Sequence, residues 1–142
     1  MADLQKVADE LEIRNIIGRL AQLADGGDPD EYVSLFTADG IWEMKPSPGN
    51  AGFPARTGRA DIKAGVLERR ANKVQGPGTH TMHVLTTTVV TLNGDKARVT
   101  SYMTFLKDTS SNPQVAIAAF YEDQFVREKD GWRIARRTIS QI

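Results

Sequence analysis

Two long stretches of strand-like alternation, joined at Asn93-Gly94, constrain the fold of this chain more than any other feature of its sequence. Asn-Gly between alternating apolar and polar residues is a strong signal for a tight β-hairpin. Residues 80–92 are the first predicted strand and residues 95–107 the second. Further strands are predicted at 114–127 and in a last segment that carries Trp132, Ile134 and Ile139.

The first half of the chain has helical spacing instead. Asp28-Pro29 is a good start for a short second helix, because aspartate caps and proline suits the first helical position. Residues 45–57 are rich in proline and glycine and are predicted to be an irregular loop at the rim of a site. The apolar residues that predict the first and third helices are Leu4, Val7, Leu11, Ile16, Ile17, Leu20 and Leu23, then Ile62, Val66 and Leu67.

Helices followed by an antiparallel meander indicate an α+β fold. A short first strand, Ile41–Met44, is predicted after a turn at residues 37–40. A sheet that buries one face against helices curls around them. We therefore predict one domain over residues 1–142: a cone-shaped roll with three N-terminal helices on a curved, mostly antiparallel sheet that encloses a pocket.

The composition excludes several classes of function. Lysine plus arginine is 18 and aspartate plus glutamate is 18, for a formal net charge of +0, so nothing favours a nucleic-acid partner. The sequence contains 0 cysteines, which excludes thiolate nucleophiles and cysteine metal sites. No apolar leader or membrane-length segment is present, so a cytoplasmic protein without a membrane partner is expected.

Both histidines, His80 and His83, lie at the start of the first predicted long strand. Side chains three apart on a regular strand face opposite sides, so at most one ring should reach the pocket. His83 is deeper in the strand, whereas His80 is expected at the rim or on the surface. The same geometry argues against a metal site that uses both rings, and no metal is predicted. The alternative for either histidine is a packed or surface ring without chemistry.

Asp25 is the candidate partner of the histidine. It lies in the last turn of the first predicted helix, where carbonyl dipoles make a carboxylate unfavourable. The same unfavourable field makes this carboxylate a better proton acceptor, so Asp25 is a candidate hydrogen-bond partner of an imidazole. The alternative is that Asp25 only ends the helix in a solvated turn.

Other side chains are candidates for the pocket wall. Tyr121 and Arg127 alternate onto one strand face with Asp123, either along a pocket or as an exposed ion-paired ladder. A solvated strand surface or an oligomer contact is predicted for Arg133, Arg136 and Arg137. The residues predicted to contact a substrate are Tyr102, Tyr121, Arg127, Trp42 and Met103.

Several segments together resemble the SnoaL-like branch of the nuclear-transport-factor-two-like superfamily. The resemblance rests on residues 20–28, 35–40, Gly58-Arg59, Thr79–His83, 93–97 and 130–134. It implies a cone-shaped scaffold that hosts dehydratases, isomerases, dehydrochlorinases and polyketide cyclases. It also implies that Asp25 orients His83, that His83 is a base, and that Arg127 is near the pocket. Leu20 stands where relatives often have tyrosine or lysine.

The expected function is therefore a cofactor-independent acid–base enzyme that acts on a small, mostly apolar molecule, with cyclic and aromatic compounds as candidates. Dehydration, isomerisation and ring closure all fit an Asp25–His83 pair. The alternative is a non-catalytic small-molecule-binding or assembly domain of the same fold. A homodimer, or else a trimer, is expected through the outer face of the sheet, and a mass of one chain in solution would contradict this.

Overall fold

A computed structural model describes residues 3–142 as three helices and one six-stranded sheet, so the first two residues of the predicted domain lie outside the described part. The helices are α1 (Leu4–Gly26), α2 (Pro29–Ser34) and α3 (Arg59–Ala71). The strands are β1 (Phe36–Met44), β2 (Phe53–Thr57), β3 (Met82–Asn93), β4 (Lys96–Lys107), β5 (Gln114–Glu128) and β6 (Gly131–Ser140).

The sheet has the strand order β2-β1-β6-β5-β4-β3. Only β1 and β6 run parallel, and the other neighbours are antiparallel. The predicted hairpin is present between β3 and β4, where Asn93 pairs with Lys96 and Gly94 has a φ of 60°. A positive φ is what the second residue of Asn-Gly supplies at little cost. The predicted α+β class is confirmed.

The inner face of the sheet packs against the helices. On β4 the buried side chains alternate strictly: Ala97, Val99, Ser101, Met103 and Phe105. From α1 the apolar residues Ile13, Leu20 and Leu23 are almost completely buried against this face. Burying a large aliphatic side chain contributes roughly 1.5–3 kcal/mol, so this contact is a main source of stability.

Parts of the sequence interpretation are corrected at the edges of the fold. The predicted loop 45–57 contains the edge strand β2, and the predicted turn at 37–40 lies inside β1. Leu4, Val7 and Leu11 are exposed, because the buried stripe of α1 begins with Asp9 and Ile13. Leu67 is also exposed, and Arg69 takes its place on the buried face of α3.

A β-bulge interrupts β3 between Thr86 and Val89. Thr87 has a φ of 52°, which is unusual for a β-branched residue. The extra residue reverses the alternation, so Val89 is 56% exposed on the outer face instead of sharing the face of His83. Arg14 of α1 donates to the Thr88 carbonyl at 3.2 Å and ties the bulge to the helix.

The expected homodimer through the outer face stays a prediction.

Within residues 3–142, no helix is long and apolar enough to cross a membrane.

Candidate active site

The end of α1 is fixed by contacts from α3, and this places Asp25. The Gly27 N–H donates to the Leu23 carbonyl at 2.9 Å and closes the helix. The guanidinium of Arg70 donates to the carbonyls of Leu23 and Gly27 at 2.9 and 2.8 Å. Carbonyls at a helix end have no partner within the helix, so a cation there is favourable. Asp25 is therefore carried by a well-anchored last turn.

Asp25 contacts both the ring and the backbone of His83. Its Oδ1 lies 2.7 Å from Nδ1 of the imidazole. The backbone N–H of His83 also reaches the two carboxylate oxygens, at 3.2 Å each. An ionised carboxylate can only accept, so the hydrogen of a neutral His83 ring lies on Nδ1. The geometry leaves the lone pair of the opposite nitrogen, Nε2, free.

The His83–Asp25 pair is partly shielded from water. The side chains of His83 and Asp25 are 11% and 22% exposed. One face of the imidazole packs on Phe105, with 4.7 Å between the ring centroids. Within the described part of the chain, Nε2 has no hydrogen-bond partner. The pair therefore meets one requirement of a general base, an oriented imidazole with an unpaired nitrogen.

A small cavity of about 50 Å³ lies beside Phe105, between the sheet and α3. Trp42, Met103 and Tyr121, predicted to contact a substrate, line this cavity together with Phe53, Arg69 and Gln75. His83 does not line the cavity. The ring of Phe105 lines it and also packs on the imidazole of His83. About 50 Å³ holds a few water molecules or a small polar group.

Tyr102 and Arg127 do not reach this cavity. The ring of Tyr102 is 46% exposed on the outer face, since it alternates with the buried Ser101 and Met103. Arg127 shares a strand with Ile117, which pairs with Phe105 at the level of His83. About ten residues separate Ile117 from Arg127, roughly 33 Å of strand. Their predicted places in the pocket are therefore corrected.

Arg127 instead belongs to an ion-paired cluster at the far end of the sheet. Its guanidinium binds both carboxylate oxygens of Asp9 at 2.7 and 2.8 Å, and Asp95 at 2.9 Å. The indole N–H of Trp132 donates to the same Asp9 at 3.1 Å. The hydrogen bonds from Arg127 hold the pKa of Asp9 well below its usual range. The cluster fastens α1 to the end of β5.

Replacing Asp9 with asparagine should reduce stability in a pH-dependent way. Because the pKa of Asp9 is lower in the folded protein, its contribution is complete above the unfolded value of about 3.9 and is lost as the pH falls below it. We expect Asp9→Asn to cost about 1.5–3 kcal/mol at pH 7. The difference from wild type should shrink by pH 3. Urea unfolding of both proteins at the two pH values measures this, and a constant difference would contradict it.

The exposed arginine surface predicted for β6 is wrong at Arg137. Arg137 is buried on the inner face and binds Asp123 of β5, with 2.7 Å between Nε and Oδ1. Burial lowers the pKa of the Arg137 guanidinium, but the attraction of Asp123 outweighs this and raises it. The guanidinium also lies 4.6 Å from the centroid of Tyr121. A bulge between Gln124 and Phe125 in the β5–β6 register shifted this alternation, and no pattern in the sequence marks it.

His80 is exposed, as expected for a rim residue, and precedes β3 with a φ of 54°. A larger open groove of about 830 Å³ runs along the outer side of α1. Like the small cavity, it contains neither His83 nor Asp25. Its walls come mainly from one helix, whereas the small cavity is lined by Phe105, the ring that packs on His83. The enclosed side of the sheet is therefore the better candidate site.

Comparison with known proteins identifies the family. A family model described as SnoaL-like domain matches residues 5–138. The chain belongs to the SnoaL-like family. The resemblance seen in the sequence is thus confirmed for fold and family. No curated protein matches the chain.

Solved structures extend the likeness of this SnoaL-like chain. It is similar to an NTF2-like protein with a cystatin-like fold from Novosphingobium aromaticivorans, with 28% identity and a TM-score of 0.83 over 98% of this chain and 85% of that one. It is also similar to a cystatin-like-fold protein from Nostoc punctiforme, with 21% identity, a TM-score of 0.78, and 94% and 90% of the two chains covered. ActVI-ORFA from Streptomyces coelicolor has 24% identity, a TM-score of 0.73, and coverage of 92% and 94%. The last two comparisons show a shared fold.

Proposed function

We propose that this SnoaL-like protein is a cofactor-independent acid–base enzyme of the dehydratase, isomerase or cyclase type. Its substrate is a small, mostly apolar, cyclic molecule. The observation that carries the proposal is the 2.7 Å contact between Asp25 and Nδ1 of His83, which leaves Nε2 without a protein partner in residues 3–142. Cofactor-independent isomerases and cyclases occur among SnoaL-like proteins, which supports the assignment.

His83 is the base in this proposal. Its Nε2 takes a proton from a carbon of the substrate, and the electron pair released forms a new double bond. In a dehydration the pair expels the hydroxyl group, which takes the proton from the imidazolium as it departs and leaves as water. In an isomerisation the imidazolium returns the proton to another carbon. Asp25 faces the positive charge that forms on the ring and stabilises it.

Tyr121 is the proposed donor to the substrate oxygen. Its phenol lines the cavity and is 4% exposed. Burial raises the pKa of the Tyr121 hydroxyl above its ordinary value, so the group stays protonated at neutral pH. A protonated phenol can donate to a carbonyl or leaving oxygen on which negative charge develops. Trp42 and Met103 supply the apolar walls.

The proposal is tested by incubating the protein in D₂O with a panel of hydroxylated and halogenated cyclic compounds. We expect at least one compound to be converted, or to exchange a C–H hydrogen for deuterium, as measured by NMR. Compounds that bind but are neither converted nor exchanged would contradict the proposal that the protein is an enzyme. Such a result would favour the alternative, a non-catalytic small-molecule-binding domain.

A further inference from the structure

Arg69 is a guanidinium buried beside the cavity. It lies on α3 on the same stripe as Ile62 and Val66, at the three- and four-residue spacing that turns it inwards. It is 5% exposed. Its guanidinium carbon lies 4.3 Å from the centroid of the Trp42 ring and 5.7 Å from that of Phe53. Gly65 makes room for it, since a Cβ there would lie 3.1 Å from Nη1 of Arg69.

Arg69 has no counter-charge inside the described structure. No carboxylate of residues 3–142 lies within 4.0 Å of it, and its buried Nε has no hydrogen-bond partner. The other deeply buried guanidinium, Arg137, has Asp123 at 2.7 Å. A buried ion without a partner is strongly unfavourable, and contact with an aromatic face offsets only part of that. The site therefore carries one excess positive charge and lacks the negative charge that would neutralise it.

The surroundings of Arg69 do not supply the missing negative charge. Arg56 lies on the same side of Gly65 as Arg69. Its charge is met by Asp61 and Glu68 at 3.2 and 2.5 Å, and Glu68 attracts Arg69 only from beyond 4.0 Å. The phenol of Tyr121 is protonated at neutral pH, because burial raises its pKa. Burial lowers the pKa of Arg69, but a guanidinium stays charged at neutral pH. The walls that complete the cavity are mainly apolar: Met44, Val74, Met103, Phe105, Ile117 and Ile139.

A second polar atom of the inner face also lacks a partner. The hydroxyl of Ser101 is buried and makes no hydrogen bond within the part of the chain that the structure describes. Ser101 pairs across the sheet with Tyr121, which lines the cavity. Unsatisfied buried donors are rare in folded proteins, and each invites an explanation. Ser101 itself does not line the cavity, so Arg69 is the group beside the cavity that calls for an oxygen-rich partner.

We propose that Arg69 binds a carboxylate on the ligand, and that the ligand is a planar aromatic carboxylate. A guanidinium matches a carboxylate in shape, with two parallel hydrogen bonds. The cavity of about 50 Å³ accommodates the carboxylate group itself. The attached ring requires more room. Phe53 is only partly buried and belongs to the edge strand β2, so we infer that it is the wall that moves. The proposal rests on the proposed function for its cavity and names the substrate class.

Benzoate and benzamide test this, because they share a shape and differ in charge. By calorimetric titration, wild type should bind benzoate at least about tenfold more tightly than benzamide, which corresponds to one charge-assisted pair. Arg69→Gln should abolish that preference, and Arg69→Lys should keep part of it. Arg98→Gln is the matched control, because Arg98 carries the same charge on the exposed outer face. It should bind like wild type.

Equal affinity of wild type for the two compounds, or no saturable binding of benzoate, would overturn the proposal. So would a preference that survives in Arg69→Gln. His83→Ala separates this proposal from the enzymatic one, because the preference for benzoate should remain in that variant whether or not His83 is a base.

Stability provides a readout that does not depend on the ligand. Arg69→Met removes the uncompensated charge and keeps a long apolar stem. Without ligand it should melt at the same temperature as wild type or a few degrees above it. Saturating benzoate should raise the melting temperature of wild type and leave that of Arg69→Met unchanged. A large loss of stability in Arg69→Met would assign Arg69 a structural role instead.

Discussion

Replacing His83 with alanine is expected to lower turnover by roughly 10²–10⁴-fold, the usual contribution of a positioned general base. The reason is geometric. The His83 ring is the imidazole that Asp25 holds, and its Nε2 has no protein partner among residues 3–142. The measurement is kcat/KM for a substrate found in the panel, together with thermal unfolding to verify the fold.

His80→Ala is the matched control for this experiment. It removes the other histidine of the chain, which is exposed and lies outside β3. Its turnover should equal that of wild type. If His83→Ala keeps full turnover, His83 is not the base and the proposed mechanism is wrong.

Replacing Asp25 with asparagine should be nearly as damaging, roughly 10²–10⁴-fold in kcat, although the side chain keeps its size. An amide offers no negative charge to the imidazolium that forms. Its NH₂ group can also donate to Nδ1, which would move the ring hydrogen to Nε2 and occupy the basic lone pair. The change is measured as kcat and KM for the same substrate.

Because Asp25 acts through His83, the effect should fall on kcat and leave KM little changed. The control is Asp30→Asn, which removes a carboxylate that is 71% exposed and, among residues 3–142, pairs only with Lys63. An Asp25→Asn variant with wild-type kcat would contradict the orienting role. A variant that loses only substrate affinity would do the same.

Much of the scaffold could be predicted because its signals are local. The alternation of β4 and the Asn93-Gly94 turn depend on neighbours in sequence, and both appear in the structure. The pairing of Asp25 with His83 is long-range, but each residue lies at a recognisable place, a helix end and a strand start. Family resemblance then supplied the link between them.

The remaining features depend on register, which local patterns do not encode. The bulge at Thr86–Val89 moves Val89 to the outer face, and a second irregularity brings Arg137 inside to meet Asp123. Charged residues are rarely buried without a partner, so the sequence favoured an exposed arginine surface. The register of β5 against β6 is needed to see that Asp123 lies opposite Arg137.

Arg69 was missed for a related reason. Its spacing from Ile62 and Val66 places Arg69 on the buried stripe of α3. A sequence pattern favours an apolar residue such as Leu67 over an arginine for a buried position, so Arg69 was not considered. Arg127 was assigned to the pocket by strand alternation and by the family resemblance. Its face was right and its level along β5 was wrong, since alternation carries no information about distance along the strand.

The central claim is that Asp25 holds the His83 ring with its hydrogen on Nδ1 and its lone pair on Nε2. Long-range ¹H–¹⁵N NMR of histidine-labelled protein at neutral pH tests it without a substrate. His80→Ala assigns the two rings. We predict that the hydrogen of His83 lies on Nδ1 in wild type and that this tautomer is lost in Asp25→Asn. A His83 ring with its hydrogen on Nε2 in wild type would contradict the claim.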